Sequence, residues 1–435
     1  MKVLSFQREQ GITKAIFANL LLALIFFSIV IPGIIADKKH TFQARDQNGY
    51  HLRQVEIFVQ QPLSWNSYRS TTATTPGHHL VLAWVSKYFA DGQVNAKVFP
   101  IRITNALFSL GLLLTVWWLT YIGGTRNVLE STYLSLPLLF SYQFLGSAIW
   151  VMTDNAALLW VCLTLWLLTL HTPLPRNFNL TLAGIFAAFA VAWRQTYIWL
   201  IVPIFLRVVK VKRSQNWQLY LTTLLPSLFV LGYFFYLWRG FTPPEFQSER
   251  PPGFNLAVPA YIISLFGTFG VFYLGYLSSQ LKKSETRNFF RLIVISLVVG
   301  LAIALLFPTS YAPDVGRRGG WLWEIARVLP NIYDRSVLFL VLCPLGCVLI
   351  NLWGKATWQN QNKNEFLIYV SAIAWIAVNT ISTVAFQRYY EGLLLIILAF
   401  LASRQTEYLR RSYVGVLILT GLMAAISLQQ IVFEN

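Results

Sequence analysis

Ten runs of about 17 to 25 mostly apolar residues punctuate this chain, the length that an α-helix needs to cross a bilayer. They lie near 14–36, 101–122, 128–150, 154–171, 217–238, 257–279, 291–309, 335–353, 365–386 and 412–431. A chain carrying so many must put them in lipid, because a water-soluble core of 435 residues could not cover them all. The composition agrees: 56% of residues are hydrophobic, 16% aromatic and only 12% charged, and the mean hydropathy is +0.55. Cys162, Cys343 and Cys347 all fall inside apolar runs, Cys343 and Cys347 on one helix face, so they read as packing residues and not as a disulfide framework.

Two stretches do not fit a single crossing. The run from about 180 to 209 is too long and carries Arg194 in its middle, and 389–402 is short and begins just after 387-QRYYE-391. Reading the first as two short helices that meet at 193-WRQT-196 places every basic gap on one side and gives about thirteen crossings in all. The net charge of +17 then has an explanation other than nucleic acid. Basic residues sit in short gaps such as 207-RVVKVKR-213, 281-LKKSETR-287 and 403-SRQTEYLRR-411, as the positive-inside rule requires. The N-terminal tail, Arg126, Arg176, Lys355 and Lys363 join them on the cytoplasmic side.

The opposite face receives segment 37–100, the corner Met152-Thr153-Asp154, Arg194, the Pro-rich segment 241–255, segment 309–334 and Arg388. No cytoplasmic gap exceeds roughly fifteen residues, too few for a nucleotide-binding domain, and no GxGxxG or Walker-type loop occurs. Chemistry is therefore expected on the far side, from substrates that the membrane delivers. The chain reads as one integral membrane domain: a first helix at 14–36, an outer loop at 37–100 and a bundle over 101–432. In the loop, Leu52, Val55, Phe58 and Val59 recur at helical spacing, and 80-LVLAWVSKYFA-90 is apolar enough for the membrane interface. Between them, 74-TTPG-77 reads as a turn: Pro76 stops a helix and Gly77 supplies a positive φ.

Taken in order, these polar motifs resemble those of the membrane glucosyltransferases that add a terminal α-1,2-linked glucose to lipid-linked oligosaccharide from dolichyl-phosphate glucose. That family shows an Asp-Glu-x-Phe-His segment, a Thr-Thr-Pro-Pro-Gly turn, a Tyr-Thr-Asp corner, Arg-Gln-Thr-Asn, Ala-Asp-Asn-Arg and a late Arg-Tyr. Here stand Thr74-Thr75-Pro76-Gly77, Met152-Thr153-Asp154, Arg194-Gln195-Thr196-Tyr197, Asp314 with Arg317, and Arg388-Tyr389. The first motif departs most. Aligning on Tyr50-His51 puts Gln47 and Asn48 at the family's acidic pair, with Asp46 one residue outside. The resemblance thus implies a distant member of the GT-C class of polyprenyl-phosphate-sugar transferases: an all-α polytopic, GT-C-like fold that moves a hexose, glucose by family, to a lipid-linked or cell-surface glycan with inversion. The donor would be a polyprenyl- or dolichyl-phosphate sugar.

The chemistry of such a transfer matches the residues. A sugar on a lipid phosphate already has a good leaving group, so the protein must supply a carboxylate for the acceptor's proton and fixed cations for the phosphate. Asp46, in the first outer loop where GT-C enzymes place the base, is the candidate, with Glu56 and Asp154 in reserve. Asp154 also suits a helix N-cap. Arg194 and Arg388 are the candidate phosphate ligands, since arginine's planar fork binds phosphate bidentately. A Glu391 ion pair one turn on would explain Arg388 without any ligand. Arg317 and Arg318, between Gly316 and Gly319, read as a mobile basic loop for phosphate or headgroups. His51, His78 and His79 show no HxxxH or HxH spacing, so neither a metal nor any other cofactor is expected. Thr75, Pro76 and Gly77 complete the motif set.

A transporter or carrier-lipid flippase is the alternative, although no internal repeat is visible. The expected partners are the donor lipid, the glycan acceptor and membrane lipids, with no nucleic acid. The expected setting is a bacterial plasma membrane in preference to the endoplasmic reticulum, with a cytoplasmic N-terminus. This sidedness is testable with a cysteine placed at Lys212, which should stay unlabelled by an impermeant thiol reagent in intact cells. Labelling there would remove the paired short helices.

Overall fold

The protein, described from a computed structural model over residues 2–38, 41–61, 68, 72–169, 175–209, 216–247, 253–281, 286–359, 363–382, 384–404 and 409–433, is an all-α polytopic membrane protein. The chain begins with α1 (Lys2–Ala36), which leads into the outer segment α2 (Phe42–Asp46), a π-helical turn (Gln47–His51), α3 (Leu52–Gln60) and α4 (Gly77–Phe89). Then follow α5 (Phe99–Thr120), α6 (Val128–Leu139), α7 (Tyr142–Ile149), α8 (Asp154–Thr169), α9 (Arg176–Trp193) and, after a 3-10 turn at Gln195–Leu200, α10 (Ile201–Val208). The second half comprises α11 (Asn216–Trp238), α12 (Pro244–Gln247), α13 (Ala257–Gly270), α14 (Leu274–Leu281), α15 (Thr286–Leu306), α16 (Trp321–Val328), α17 (Val337–Gln359), α18 (Lys363–Val378), α19 (Glu391–Ser403) and α20 (Leu409–Leu428). A two-stranded hairpin, β1 (Asn331–Ile332) with β2 (Arg335–Ser336), interrupts the helices. Its turn residues Tyr333 and Asp334 both have positive φ, as a tight hairpin turn demands.

Among the described residues, eight helices are long and apolar enough to cross a membrane by themselves. About thirteen crossings are expected from the sequence; α7 and α8, bent by 112°, add at most a ninth span, and the other expected crossings fall on α9 and on the shorter apolar helices α6, 195–208 and α19. The split of the 180–209 run falls as the sequence suggests: α9 stops at Trp193 and Arg194 adopts an extended backbone, φ −152° and ψ 113°. The middles of the three basic segments, 210–213, 282–285 and 405–408, lie outside the described residues, as does position 212.

Two polar poles result. At one, the guanidinium of Arg207 bonds to Asn364, and Arg176 reaches the Arg207 carbonyl at 3.5 Å. Helix α9 carries Arg176 at this end and leads to Arg194 at the other, about 27 Å away at 1.5 Å per residue. The outer helices α3 and α4 pack together through Leu52, Val55, Phe58, Leu82 and Ala83. The opposite side of α4 exposes Trp84, Tyr88 and Phe89 in contact with one another, the side-chain type that settles at a membrane–water interface.

In lipid there is little hydrophobic drive between helices, so close approach through small residues holds the bundle together. Helices α13 and α17 meet at Gly267 and Gly346: a Cβ on Gly346 would lie 1.8 Å from the Ile263 carbonyl oxygen, and one on Gly267 would lie 2.3 Å from that of Leu342. Gly346→Val should therefore prise the pair apart and cost about 1–3 kcal/mol or more, the usual range for overpacking. Gly232→Ala on α11, where a Cβ meets nothing within 4 Å, should be nearly silent. Melting temperatures of the two variants in detergent should separate accordingly.

Candidate active site

Four breaks in helical structure converge on one cluster. The first lies in the outer segment, where Thr41 caps α2 by accepting a hydrogen bond from the Ala44 N–H at 3.1 Å. The π turn that follows carries one extra residue per hydrogen-bonded ring, an insertion often found at functional sites. Asp46 precedes this turn and His51 ends it. The Asp46 carboxylate bonds to the Arg388 guanidinium, with the aspartate side chain 17% exposed and the arginine 8%.

Gln47, one of the two residues that the motif comparison sets against an acidic pair, is fully buried and structural. Its Oε1 accepts from Arg102 Nε at 3.0 Å and from the Val151 N–H at 3.1 Å. Arg102 in turn bonds Asp37 at 2.7 Å and lies over the Trp150 ring at 4.5 Å. This arginine opens an apolar run, and its role as the joint between α1, α5 and the outer segment was not read from the sequence.

The second break is the corner Trp150–Thr153. It is buried, so each of its backbone groups needs a partner inside the protein. Asn105 Nδ2 donates to the carbonyls of Ser147 and Trp150 at 2.6 and 2.8 Å, and Asn155 Nδ2 donates to that of Phe144 at 2.8 Å. The corner aims Asp154 into the cluster. α8 starts at Asp154 itself, so this aspartate is the first residue of the helix and not the N-cap that the sequence suggests. Its carboxylate is bonded to Arg194 in a pair whose side chains are 6% and 8% exposed.

The third break, after Trp193, explains the Thr-Thr-Pro-Gly stretch. The Thr75 hydroxyl donates to the Val191 carbonyl at 2.7 Å, one of the last carbonyls of α9, which lack helical partners. Gln195 Oε1 accepts from the Thr75 N–H at 3.1 Å, and its Nε2 donates to the carbonyls of Ala73 and Phe241 at 2.9 and 3.0 Å. The turn is thus a clamp on the Arg-Gln-Thr motif. Gly77 does not have the positive φ expected of it: it opens α4, with Pro76 as the N-cap. What it needs is space, since a Cβ would sit 2.5 Å from the Trp193 ring and 2.7 Å from the Ala192 carbonyl.

At the fourth break, the 3-10 turn Gln387–Tyr389, the arginines meet. Arg194 Cζ lies 4.1 Å and Arg388 Cζ 5.1 Å from the centroid of the Tyr389 ring, in reach of cation–π attraction. Arg388 Nη1 is also 3.5 Å from Met152 Sδ, and among the described residues its buried Nε has no hydrogen-bond partner. Glu391 is not the partner of Arg388: it is buried and accepts from Ser141 and Gln387.

Four residues of the expected set, Glu56, Asp314, Arg317 and Arg318, are not among the paired charges of the cluster. Glu56 is partly exposed and accepts from Asn95 at 3.3 Å. Arg317 is held by Ser310 at 3.2 Å and Asp334 at 3.9 Å. The 312–320 loop is not the free basic loop that its glycines suggest, because a bridge joins Ala312 to Arg317 and the Gly316 and Gly319 carbonyls accept from Ala385 and Gln387. Arg318 is exposed, 5.9 Å from the Phe386 ring, and Asp314 is exposed too.

A cavity of about 420 Å³ lies between α1, α7 and the end of α20. Its walls are mainly apolar, among them Ile29, Pro32, Ile149 and Ile431, and Lys38 and Thr41 join them just before Asp46 in the chain. Tyr142, another wall residue, donates to Gln43 of α2 at 2.8 Å.

Three histidines brace the outer loop. His51 Nδ1 and His79 Nε2 are 2.8 Å apart with stacked rings, and His78 packs on Phe108 and Trp193. Among the described residues no three His, Cys, Asp or Glu side chains form a metal-binding group. Burial is the main reason that the imidazole of His51 is held down to about 4, that of His78 to about 3, and that of His79 well below its ordinary value; the Asp46 carboxylate partly opposes this at His51.

No family model matches the chain, and no curated protein matches it. Among solved structures it is similar to the crystal structure of ArnT from Cupriavidus metallidurans in the apo state, with 13% sequence identity and a TM-score of 0.39 over 89% of this chain and 77% of that one.

A histidine whose folded value lies below its unfolded one contributes stability in full above the unfolded value of about 6.5. That stability is lost as pH falls toward about 4, the folded value of His51. The melting temperature in detergent should therefore be level above about pH 7 and decline through pH 5. His78→Phe, which keeps the aromatic packing, should flatten the decline; an unchanged slope would place its origin elsewhere.

Proposed function

We propose that this chain is a membrane glycosyltransferase that moves a sugar from a polyprenyl-phosphate carrier to a glycan acceptor at the pole containing Asp46, Asp154, Arg194 and Arg388. The observation that supports this most is the pair of buried guanidiniums against one tyrosine ring, beside a carboxylate that keeps partial access to solvent. Two cations brought together in a half-dry site fit a phosphate better than any other common ligand. Arg388 also has an unused buried donor at Nε, and an orphaned donor costs free energy until a ligand acceptor meets it. The apolar cavity next to Thr41 suits the first isoprene units of the carrier.

In this reading the acceptor hydroxyl attacks the anomeric carbon from the face opposite the phosphate. The new C–O bond forms as the bond to the phosphate oxygen breaks, with inversion. Asp46 takes the hydroxyl proton, and the electron pair of the broken bond leaves on polyprenyl phosphate, whose growing charge Arg194 and Arg388 stabilise. Asp154 keeps Arg194 charged and aimed. Glucose is the sugar that the motif resemblance favours, and a lipid-linked or surface glycan is the acceptor class. Arg318, exposed on the neighbouring loop, is placed to meet an acidic acceptor or headgroup.

The direct test incubates purified protein with polyprenyl-phosphate glucose, mannose and arabinose in turn and measures release of polyprenyl phosphate. Movement of lipid across a vesicle without such release would establish a flippase instead. Asp46→Asn should lower turnover by about 10² to 10⁴, the usual effect of losing a general base. Arg194→Lys keeps the charge but loses the fork, so donor binding and rate should weaken together. Near wild-type turnover in Asp46→Asn would mean that another group is the base.

A further inference from the structure

The cluster as it stands holds two guanidiniums and two carboxylates, and each arginine is engaged by one aspartate. Its formal charge is zero. A phosphodiester donor brings one more negative charge, so a third anion must share two cations. One carboxylate has to yield. The two aspartates are not equal in this respect: Asp154 is 6% exposed inside the bundle, whereas Asp46 is 17% exposed on the short α2 of the outer segment. Releasing Asp154 would strand a charge in a dry place, while Asp46 can turn toward solvent at lower cost.

The same pairing bears on catalysis. A carboxylate bound to a guanidinium is stabilised in its charged form and is a poor proton acceptor. While Arg388 holds Asp46, that aspartate cannot serve well as a base. Tyr389 gives the arginine a place to stay when the carboxylate leaves: its ring lies 5.1 Å from Arg388 Cζ, and its hydroxyl lies 3.3 Å from Nη2. Arg388 also has its buried, unpartnered Nε–H ready for a second phosphate oxygen.

We infer that Asp46 occupies the donor-phosphate position on Arg388 in the resting protein, that the incoming phosphate displaces it, and that this exchange frees Asp46 to act as the base, with Tyr389 positioning both arginines throughout. The inference rests on the reading of the donor as a polyprenyl-phosphate sugar. It makes binding ordered: the donor engages before the acceptor hydroxyl can be deprotonated. An acceptor that arrives first meets a neutralised base.

The test uses the full chain in detergent and a short-chain isoprenyl monophosphate as the probe, with affinity read from tryptophan fluorescence. Asp46→Asn removes the competing anion, so it should bind the probe about tenfold more tightly than wild type, although it loses turnover. Asp154→Asn should not tighten binding, and Tyr389→Leu should weaken it. Asp46→Ala, with no side chain to compete, should repeat the gain and guards against an effect peculiar to asparagine. If neither Asp46 variant folds, carbodiimide labelling of wild-type Asp46 decides: the probe should increase labelling by releasing the carboxylate from Arg388. Wild-type binding with equal or weaker binding by the Asp46 variants, or a fall in labelling, overturns the exchange and leaves the donor reading intact. Failure of wild type and both variants alike to bind the probe overturns the donor reading and the exchange with it.

Discussion

Burying a guanidinium at the end of an apolar helix bundle is unfavourable by several kcal/mol unless an opposite charge meets it with good geometry. This protein does so twice within one cluster, and much of its irregular structure can be understood as the means. The break at Arg194 turns that side chain inward, the buried corner at 150–153 delivers Asp154 to it, and the π turn delivers Asp46 to Arg388. Tyr389 lets the two cations approach one another by offering both its electron-rich face. Removing either carboxylate would leave an uncompensated charge. The cluster is therefore a structural keystone as well as a candidate site.

The supporting contacts are indirect and long in sequence. Gln195 ties the Thr-Thr-Pro-Gly turn to the arginine motif across 120 residues, and Gln47 ties the π turn to the 151 corner across 104. Such ties use amides and hydroxyls, whose geometry is short-ranged and directional, to fix where the charges sit. In this way the outer segment, which has only a small apolar core of its own, is held in register with helices that have a large one.

Much of the framework was legible in the sequence because lipid imposes simple rules. Apolar run length located the helices, and the charge of Arg194 in a thirty-residue apolar stretch marked the split between α9 and the 195–208 stretch. The pairing of charges was less legible, since it depends on which turns face one another. Glu391 lies one turn from Arg388 and looked like its partner, but Ser141 and Gln387 satisfy it, and Asp46 comes from 342 residues away. Gly77 was read as a glycine for φ because it follows proline, whereas its constraint is the indole of Trp193. The loop at 312–320 looked free because of its glycines, yet its own bridge and the backbone of 385–387 pin it. No local pattern announces the π turn, the Arg102 joint or the stacked histidines.

The length of α19 has a further consequence. This buried helix runs from Glu391, next to the Arg388-Tyr389 pair, to Ser403, whose carbonyl packs against Gly124 near the basic pole. Thirteen residues span only about 20 Å, against a hydrocarbon thickness of about 30 Å. The paired charges near the Glu391 end belong to side chains only 6 to 17% exposed, so they lie below the surface of the protein. Bulk ions reach such a depth poorly, and screening that would weaken an exposed arginine cluster within a Debye length of about 8 Å at physiological salt acts here only weakly. Ionic strength should then affect the stability of these buried pairs far less than that of the exposed pair between Lys97 and Asp91.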